Sequence, residues 1–220
     1  MAARSAVALL SGGLDSGTSL GMWLSEVGHS VSLCLTFDYG QRSAAAEMRA
    51  AQRLATRFDV PWESVELPWL ARAALRAGSA LVDTRVELPR RSDAGPGDEK
   101  SAAAVWVPAR NVVFLAVGAA FAEARRADGL LAGFNREEAR TFPDNSAEFV
   151  QAMDQVLRLG TSNALTVCSP TIDLDKKAIV RRARELDLGP EDFWSCYLGE
   201  SEACGSCESC VRSRLAWGSS

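Results

Sequence analysis

Histidine is nearly absent from this chain: among 220 residues there is one, His29. Serine triads, cysteine-histidine dyads and histidine-rich metal sites would all have to be built on that side chain. It lies in a polar stretch, EVGHS, between a helix and a strand, and is expected to be a solvated turn residue. Lysine is almost as scarce, with only Lys100, Lys176 and Lys177, and there is no G-x-x-x-x-G-K-[ST] run, which disfavours a kinase or P-loop ATPase. Excess positive charge is also missing. The net charge of -4 and pI of about 5.2 leave little of the clustered Lys and Arg that holds a nucleic-acid backbone, so a small-molecule partner is expected and no nucleic acid. Long hydrophobic runs are lacking as well. The opening MAARSAVALLSGG holds about five consecutive apolar residues, too few for a signal-peptide core or a membrane span, so the expectation is a cytoplasmic protein without membrane association.

What is present is enough apolar material for one core: 47% of the residues are hydrophobic, and a chain of 220 residues commonly forms a single α/β domain. Ala6 to Leu10 reads as a strand ending in Ser-Gly-Gly, 16–27 as a helix and Val31 to Phe37 as a second strand. A helix follows, with Met48, Ala51, Ala55 and Phe58 at helical spacing, and after Pro61 comes a short extended run through Val65 and Leu67. A short helix is expected within 68–87, and a mobile surface loop over 88–104, which is polar and broken by Gly95-Pro96-Gly97. Residues 111–127 are apolar almost all round, as in a helix packed deep against a sheet, and 130–134 supplies a further strand. Helices over 146–159 and 175–187 complete the pattern. Repeated strand-helix alternation predicts an α/β fold with a doubly wound, mostly parallel sheet. The expected division is one α/β domain over 1–190 and a cysteine-rich segment over 191–220, packed on it and not an independent domain.

Ser11-Gly12-Gly13-Leu14-Asp15-Ser16 follows the first strand and opens the first helix, where unpaired amides can meet an anion. The glycines allow close backbone approach, and the hydroxyls of Ser11, Ser16 and Thr18 can add hydrogen bonds, giving a phosphate cradle without a lysine. Leu10 to Ser16 with Thr18 are thus the nucleotide-binding candidates. SGGLDS in this position resembles the PP-loop of ATP pyrophosphatases, which cleave ATP to AMP and pyrophosphate and adenylate a substrate oxygen; the resemblance implies an adenine nucleotide alpha hydrolase-like fold.

Cys196, Cys204, Cys207 and Cys210 form C-x7-C-x2-C-x2-C. In a reducing compartment such a cluster reads as metal-binding before it reads as disulfides, and four thiolates close one tetrahedral zinc site. An iron-sulfur cluster is the rival, but the fourth cysteine followed by proline that ferredoxins carry is missing, since Val211-Arg212-Ser213 follows Cys210. Persulfide or disulfide redox chemistry is a third reading. Cys34 and Cys168 lie in apolar strand-like runs and are expected in the core.

Between loop and cysteines lie three further segments, Phe37-Asp38-Tyr39-Gly40-Gln41-Arg42, Val107-Pro108-Ala109-Arg110-Asn111, and Gly133-Phe134-Asn135 with Phe142-Pro143-Asp144; Trp194-Ser195-Cys196-Tyr197 opens the cysteine segment. Together and in this order they resemble the 7-cyano-7-deazaguanine synthase family (preQ0 synthases, QueC) over nearly the whole chain, although Ser43 stands where many members carry His. The resemblance implies an ATP-dependent carbon-nitrogen ligase of queuosine biosynthesis. Its partners would be 7-carboxy-7-deazaguanine, ammonia from solution and ATP with Mg²⁺. It further implies catalytic roles for Asp15, Ser16 and Arg110, with Asp15 helping to position the metal, and substrate contacts from Tyr39, Gln41, Arg110, Asn135 and Asp144. One structural Zn²⁺ would be held by the four cysteines. Members often form homodimers, which leaves that state open here. Competing readings are a PP-loop enzyme adenylating another carboxylate or a tRNA base, and a zinc-stabilised binding homologue without catalysis.

Overall fold

The computed structural model describes residues 4–90 and 99–218. Five strands, β1 (Arg4–Leu9), β2 (His29–Asp38), β3 (Trp62–Glu66), β4 (Gly129–Leu131) and β5 (Thr166–Cys168), form one sheet in the order β3-β2-β1-β4-β5, with every pairing parallel. The helices are α1 (Leu14–Leu24), α2 (Ala44–Arg57), α3 (Pro68–Arg76), α4 (Glu99–Ala104), α5 (Arg110–Ala124), α6 (Arg136–Ala139), α7 (Ala147–Gly160), α8 (Lys176–Glu185) and α9 (Glu208–Trp217). The chain winds outward from β1 through β2 to β3, then returns to the other side of β1 for β4 and β5. This reversal opens a crevice beyond the carboxyl ends of β1 and β4, the usual ligand position in such sheets.

Strand periodicity divides the core between the two faces. In β1, Val7 packs into a layer with Leu115 and Ala119 of α5 and Met153 and Leu157 of α7, whereas Ala6 and Ala8 face Leu20 and Trp23 of α1, Leu54 of α2 and Ile179 of α8. The register of β1 against β2 slips by one residue, Ala6 opposing Val31 and Val7 opposing Leu33, so Ser32 is an extra residue. The slip puts Val31 in one layer and Leu33, Leu35 and Phe37 in the other.

Several expected elements move. His29 begins β2 and stacks on Trp23, ring centroids 4.0 Å apart, instead of standing in a solvated turn. Helix α1 stops at Leu24, leaving Val27 93% exposed. Strand β4 ends at Leu131, short of the expected 134, and Gly133 then passes against the backbone of Asp15 and Ser16 in α1. Part of the expected loop over 88–104 is helical, since α4 occupies Glu99–Ala104, while 91–98 lies outside the described residues. Helix α5 is not buried all round: Val112, Ala116 and Ala120 share an exposed stripe, at little cost because two are alanines.

Candidate active site

The loop between β1 and α1 holds itself in shape. The Ser11 and Ser16 hydroxyls lie 3.0 Å apart, the Ser11 amide donates to Ser16 Oγ at 3.2 Å and the Gly13 amide to Ser11 Oγ at 3.3 Å. Gly13 is the N-cap of α1, with no side-chain cap, so the amides of Leu14, Asp15 and Ser16 keep the unsatisfied donors and positive dipole end of a helix start. Two glycines make this possible. Gly12 has φ +78°, and a Cβ there would stand 2.5 Å from the Glu47 carbonyl oxygen; at Gly133 it would stand 2.5 Å from the Ser16 nitrogen. Thr18 lies one turn further along α1, wholly buried and off the cavity wall, so it does not join the cradle as expected.

The cradle opens into a cavity of about 350 Å³ at the crevice. It does not lack a lysine. Lys176, at the start of α8, places Nζ 2.5 Å from Asp15 Oδ2 and 3.1 Å from Glu138 Oε1. Arg212 of α9 adds contacts to Glu138 at 2.9 Å and Glu137 at 3.4 Å. Burial works against the Lys176 charge, but Asp15 and Glu138 outweigh it and hold the ammonium protonated well above the usual lysine range. Glu138 is likewise held ionised: burial opposes its charge, and Lys176 and Arg212 prevail. Asp15 Oδ1 is buried without a hydrogen-bond partner among the described residues.

On the opposite wall, Phe37 and Phe114 stack with centroids 4.4 Å apart, and Arg110 Nη1 donates to the Tyr39 hydroxyl at 3.4 Å. Arg110 is aimed by Ala109, the N-cap of α5, held at φ 52° in the left-handed region, a conformation costing about 1–2 kcal/mol for a residue with a Cβ. Burial would lower the Arg110 pKa, but Tyr39, Asp144 and Glu47 raise it. Gln41 is buried off the wall: its amide group donates to the Phe37 carbonyl and Glu47 Oε2 and accepts from the Tyr39 amide, so it fixes the turn. Asn135 is also fully buried off the wall, capping α6 by accepting from the Glu138 amide at 2.9 Å. Asp144 gives its carbonyl to Asn111 Nδ2 at 3.0 Å, while Asn145, Asn111 and Phe142 occupy the wall.

The Sγ atoms of Cys196, Cys204, Cys207 and Cys210 all lie within 4.8 Å of one another and could hold a metal ion. Backbone amides of Leu198 and Cys204 point at Cys196 Sγ, 3.3 and 3.4 Å away, and that of Cys207 at Cys204 Sγ, 3.3 Å away, an arrangement suited to thiolate charge. The segment is tied to the cradle, since the Trp194 amide donates to the Gly12 carbonyl at 2.9 Å.

Lys176, Glu138, Arg212 and Glu47 are the site residues that sequence reasoning missed. No local motif marks them; the scarcity of lysine was the one available hint, and it pointed the other way.

The profile of the family described as queuosine biosynthesis protein QueC matches residues 5–219. The 7-cyano-7-deazaguanine synthase of Pelotomaculum thermopropionicum is 45% identical over 210 residues, covering 94% of this chain and 93% of that protein. That of Methanosarcina barkeri is 41% identical over 219 residues, with 96% and 93% covered. Among solved structures, the U34-tRNA thiolase NcsA from Methanococcus maripaludis aligns with TM-score 0.52 at 15% identity, over 98% of this chain and 65% of that one. A 4-thiouridine synthetase-RNA complex with bound ATP aligns with TM-score 0.53 at 22% identity, over 83% of this chain and 40% of that one. These two likenesses show a shared fold, a parallel sheet flanked by helices.

Proposed function

The chain belongs to the QueC family of queuosine biosynthesis proteins and is a synthase of that pathway; from this premise we propose that it uses ATP to convert 7-carboxy-7-deazaguanine and ammonia into 7-cyano-7-deazaguanine. The observation that carries the reading is the uncapped first turn of α1, which opens onto the same cavity as Arg110 and Tyr39.

A carboxylate resists amines because oxide would have to leave, so its oxygen must first become a better leaving group. The substrate carboxylate attacks the α-phosphate of ATP, and pyrophosphate departs toward the amides of Leu14, Asp15 and Ser16, where the helix dipole favours its charge. Lys176 stands beside these amides as a fixed cation. Arg110 pairs with the carboxylate or a phosphate, and the Phe37 and Phe114 rings with Tyr39 offer faces to a flat purine-like ring. Ammonia then displaces AMP to give the amide. A second adenylation, on the amide oxygen, lets AMP leave again as the nitrogen loses its protons and the nitrile forms. Mg²⁺ accompanying ATP offsets triphosphate charge, and Asp15 Oδ1 is the unpartnered oxygen suited to hold it.

For the cysteines the fitting ion is zinc. A tetrahedral site with Zn–S near 2.3 Å separates its sulfurs by about 3.8 Å, and Cys204 and Cys210 stand 3.9 Å apart. A four-iron cluster would hold its thiolates on separate irons and further apart. Four thiolates leave no open coordination position, so the ion's role is structural.

Incubation with 7-carboxy-7-deazaguanine, ammonium and Mg-ATP should release two AMP per molecule of product carrying a nitrile mass. Absence of both AMP and nitrile would end this reading.

A further inference from the structure

Ammonium, not ammonia, predominates in neutral water, and it has no lone pair with which to attack an adenylate. A site that uses it must take a proton from it. Among the described residues three carboxylates line the cavity, Asp15, Glu47 and Glu138. Asp15 is committed to Lys176, and Glu138 to Lys176 and Arg212. Among the described residues no cation lies within ion-pair distance of Glu47; its carboxylate accepts from two neutral donors, Ser43 Oγ at 2.6 Å and Gln41 Nε2 at 2.9 Å. Its position is also suitable, because the Glu47 backbone abuts Gly12 of the nucleotide loop, next to the turn where an adenylate would form.

Resting on the ligase reading above, we infer that Glu47 is the proton acceptor for ammonium in the amide-forming step. An N–H bond of ammonium breaks, the proton goes to a Glu47 carboxylate oxygen and the electron pair stays on nitrogen. That pair forms the C–N bond to the adenylate carbonyl as the C–O bond to AMP breaks, its electrons leaving on the phosphate. The surplus proton on nitrogen passes to the departing AMP. Burial raises the Glu47 pKa, while the hydrogen bonds from Ser43 and Gln41 and the charge of Arg110 lower it and Asp38 raises it; the net shift is upward, toward the range where a base works best near neutral pH. The groups facing it are therefore Ser43 of its own helix start, Asp38, Tyr39 and Gln41 from the end of β2 and the turn after it, and Arg110 from α5.

The test compares the wild type with Glu47→Gln, which keeps the side-chain size, in substrate-dependent pyrophosphate exchange, in amide formation from ammonium, and in hydroxamate formation from hydroxylamine, which is neutral at pH 7.5. The variant should lose about 10²–10⁴-fold with ammonium while its exchange and hydroxylamine rates stay within a few-fold of wild type. Wild-type rates with ammonium would overturn the inference, as would parallel loss of all three activities, which marks a binding or structural role. Wild-type protein that shows no exchange would overturn the ligase reading itself, and the inference with it. In the second variant, Ser43→Ala, loss of the 2.6 Å donor should move the acid limb of the ammonium pH profile upward; an unmoved limb counts against Glu47.

Discussion

At Gly133 a methyl group would stand 2.5 Å from the Ser16 nitrogen and 2.6 Å from its Cα, on top of an amide proposed to receive phosphate. Gly133→Ala should therefore cost about 1–3 kcal/mol of stability through overpacking and, separately, abolish pyrophosphate exchange. Thermal unfolding beside exchange separates the two, and a folded variant exchanging at the wild-type rate would show that this amide is not used. Ser11 to Ser16 are contiguous, and one turn of backbone puts them together. Thr18, Gln41 and Asn135 are polar residues within a few positions of a motif whose side chains turn inward off the cavity wall, Gln41 and Asn135 bonding the backbone there. Lys176, Glu138 and Arg212 come from three elements, and only the folded chain brings Glu138 to 3.1 Å from Lys176 and 2.9 Å from Arg212.

Among the helices, α7 and α8 are capped by Ser146 and Asp175, which accept from the Phe149 and Ala178 amides, whereas α1 starts at Gly13 without a side-chain cap. An anion should supply what is missing. Pyrophosphate at one hundred times its dissociation constant should stabilise the protein by about 2.7 kcal/mol, a rise in Tm of roughly 5–10 °C for a chain of this size. A scanning calorimetry trace indifferent to pyrophosphate would mean that the turn does not bind it. Helix and strand identities were largely readable from periodicity, but their ends were not. The expected helix over 16–27 overruns the end of α1 at Leu24 because Val27 is apolar, and the expected strand over 130–134 runs past the end of β4 because the apolar Ala132 and Phe134 continue its pattern.

Across the whole molecule, the cysteine segment touches both the cradle and the far layer of the core. Trp194 bonds to Gly12, Arg212 to Glu138, and Arg184 of α8 both donates to the Trp217 carbonyl at 2.7 Å and lies 5.6 Å over its ring. Stripping the metal with a strong chelator should therefore remove pyrophosphate exchange and the near-UV signal of the tryptophans together, and zinc should restore both; exchange that survives in metal-free protein would break this link. The sequence by itself determined the alternation of strands and helices, the glycine turn that opens α1 and the spacing of the four cysteines, because each is a local pattern whose geometry follows from its spacing. The tertiary structure alone decided which charges neutralise one another, which polar side chains face the cavity and which cavity carboxylate, among the described residues, has no cation within ion-pair distance. Those outcomes depend on distances between elements far apart in the chain, and no residue spacing encodes them.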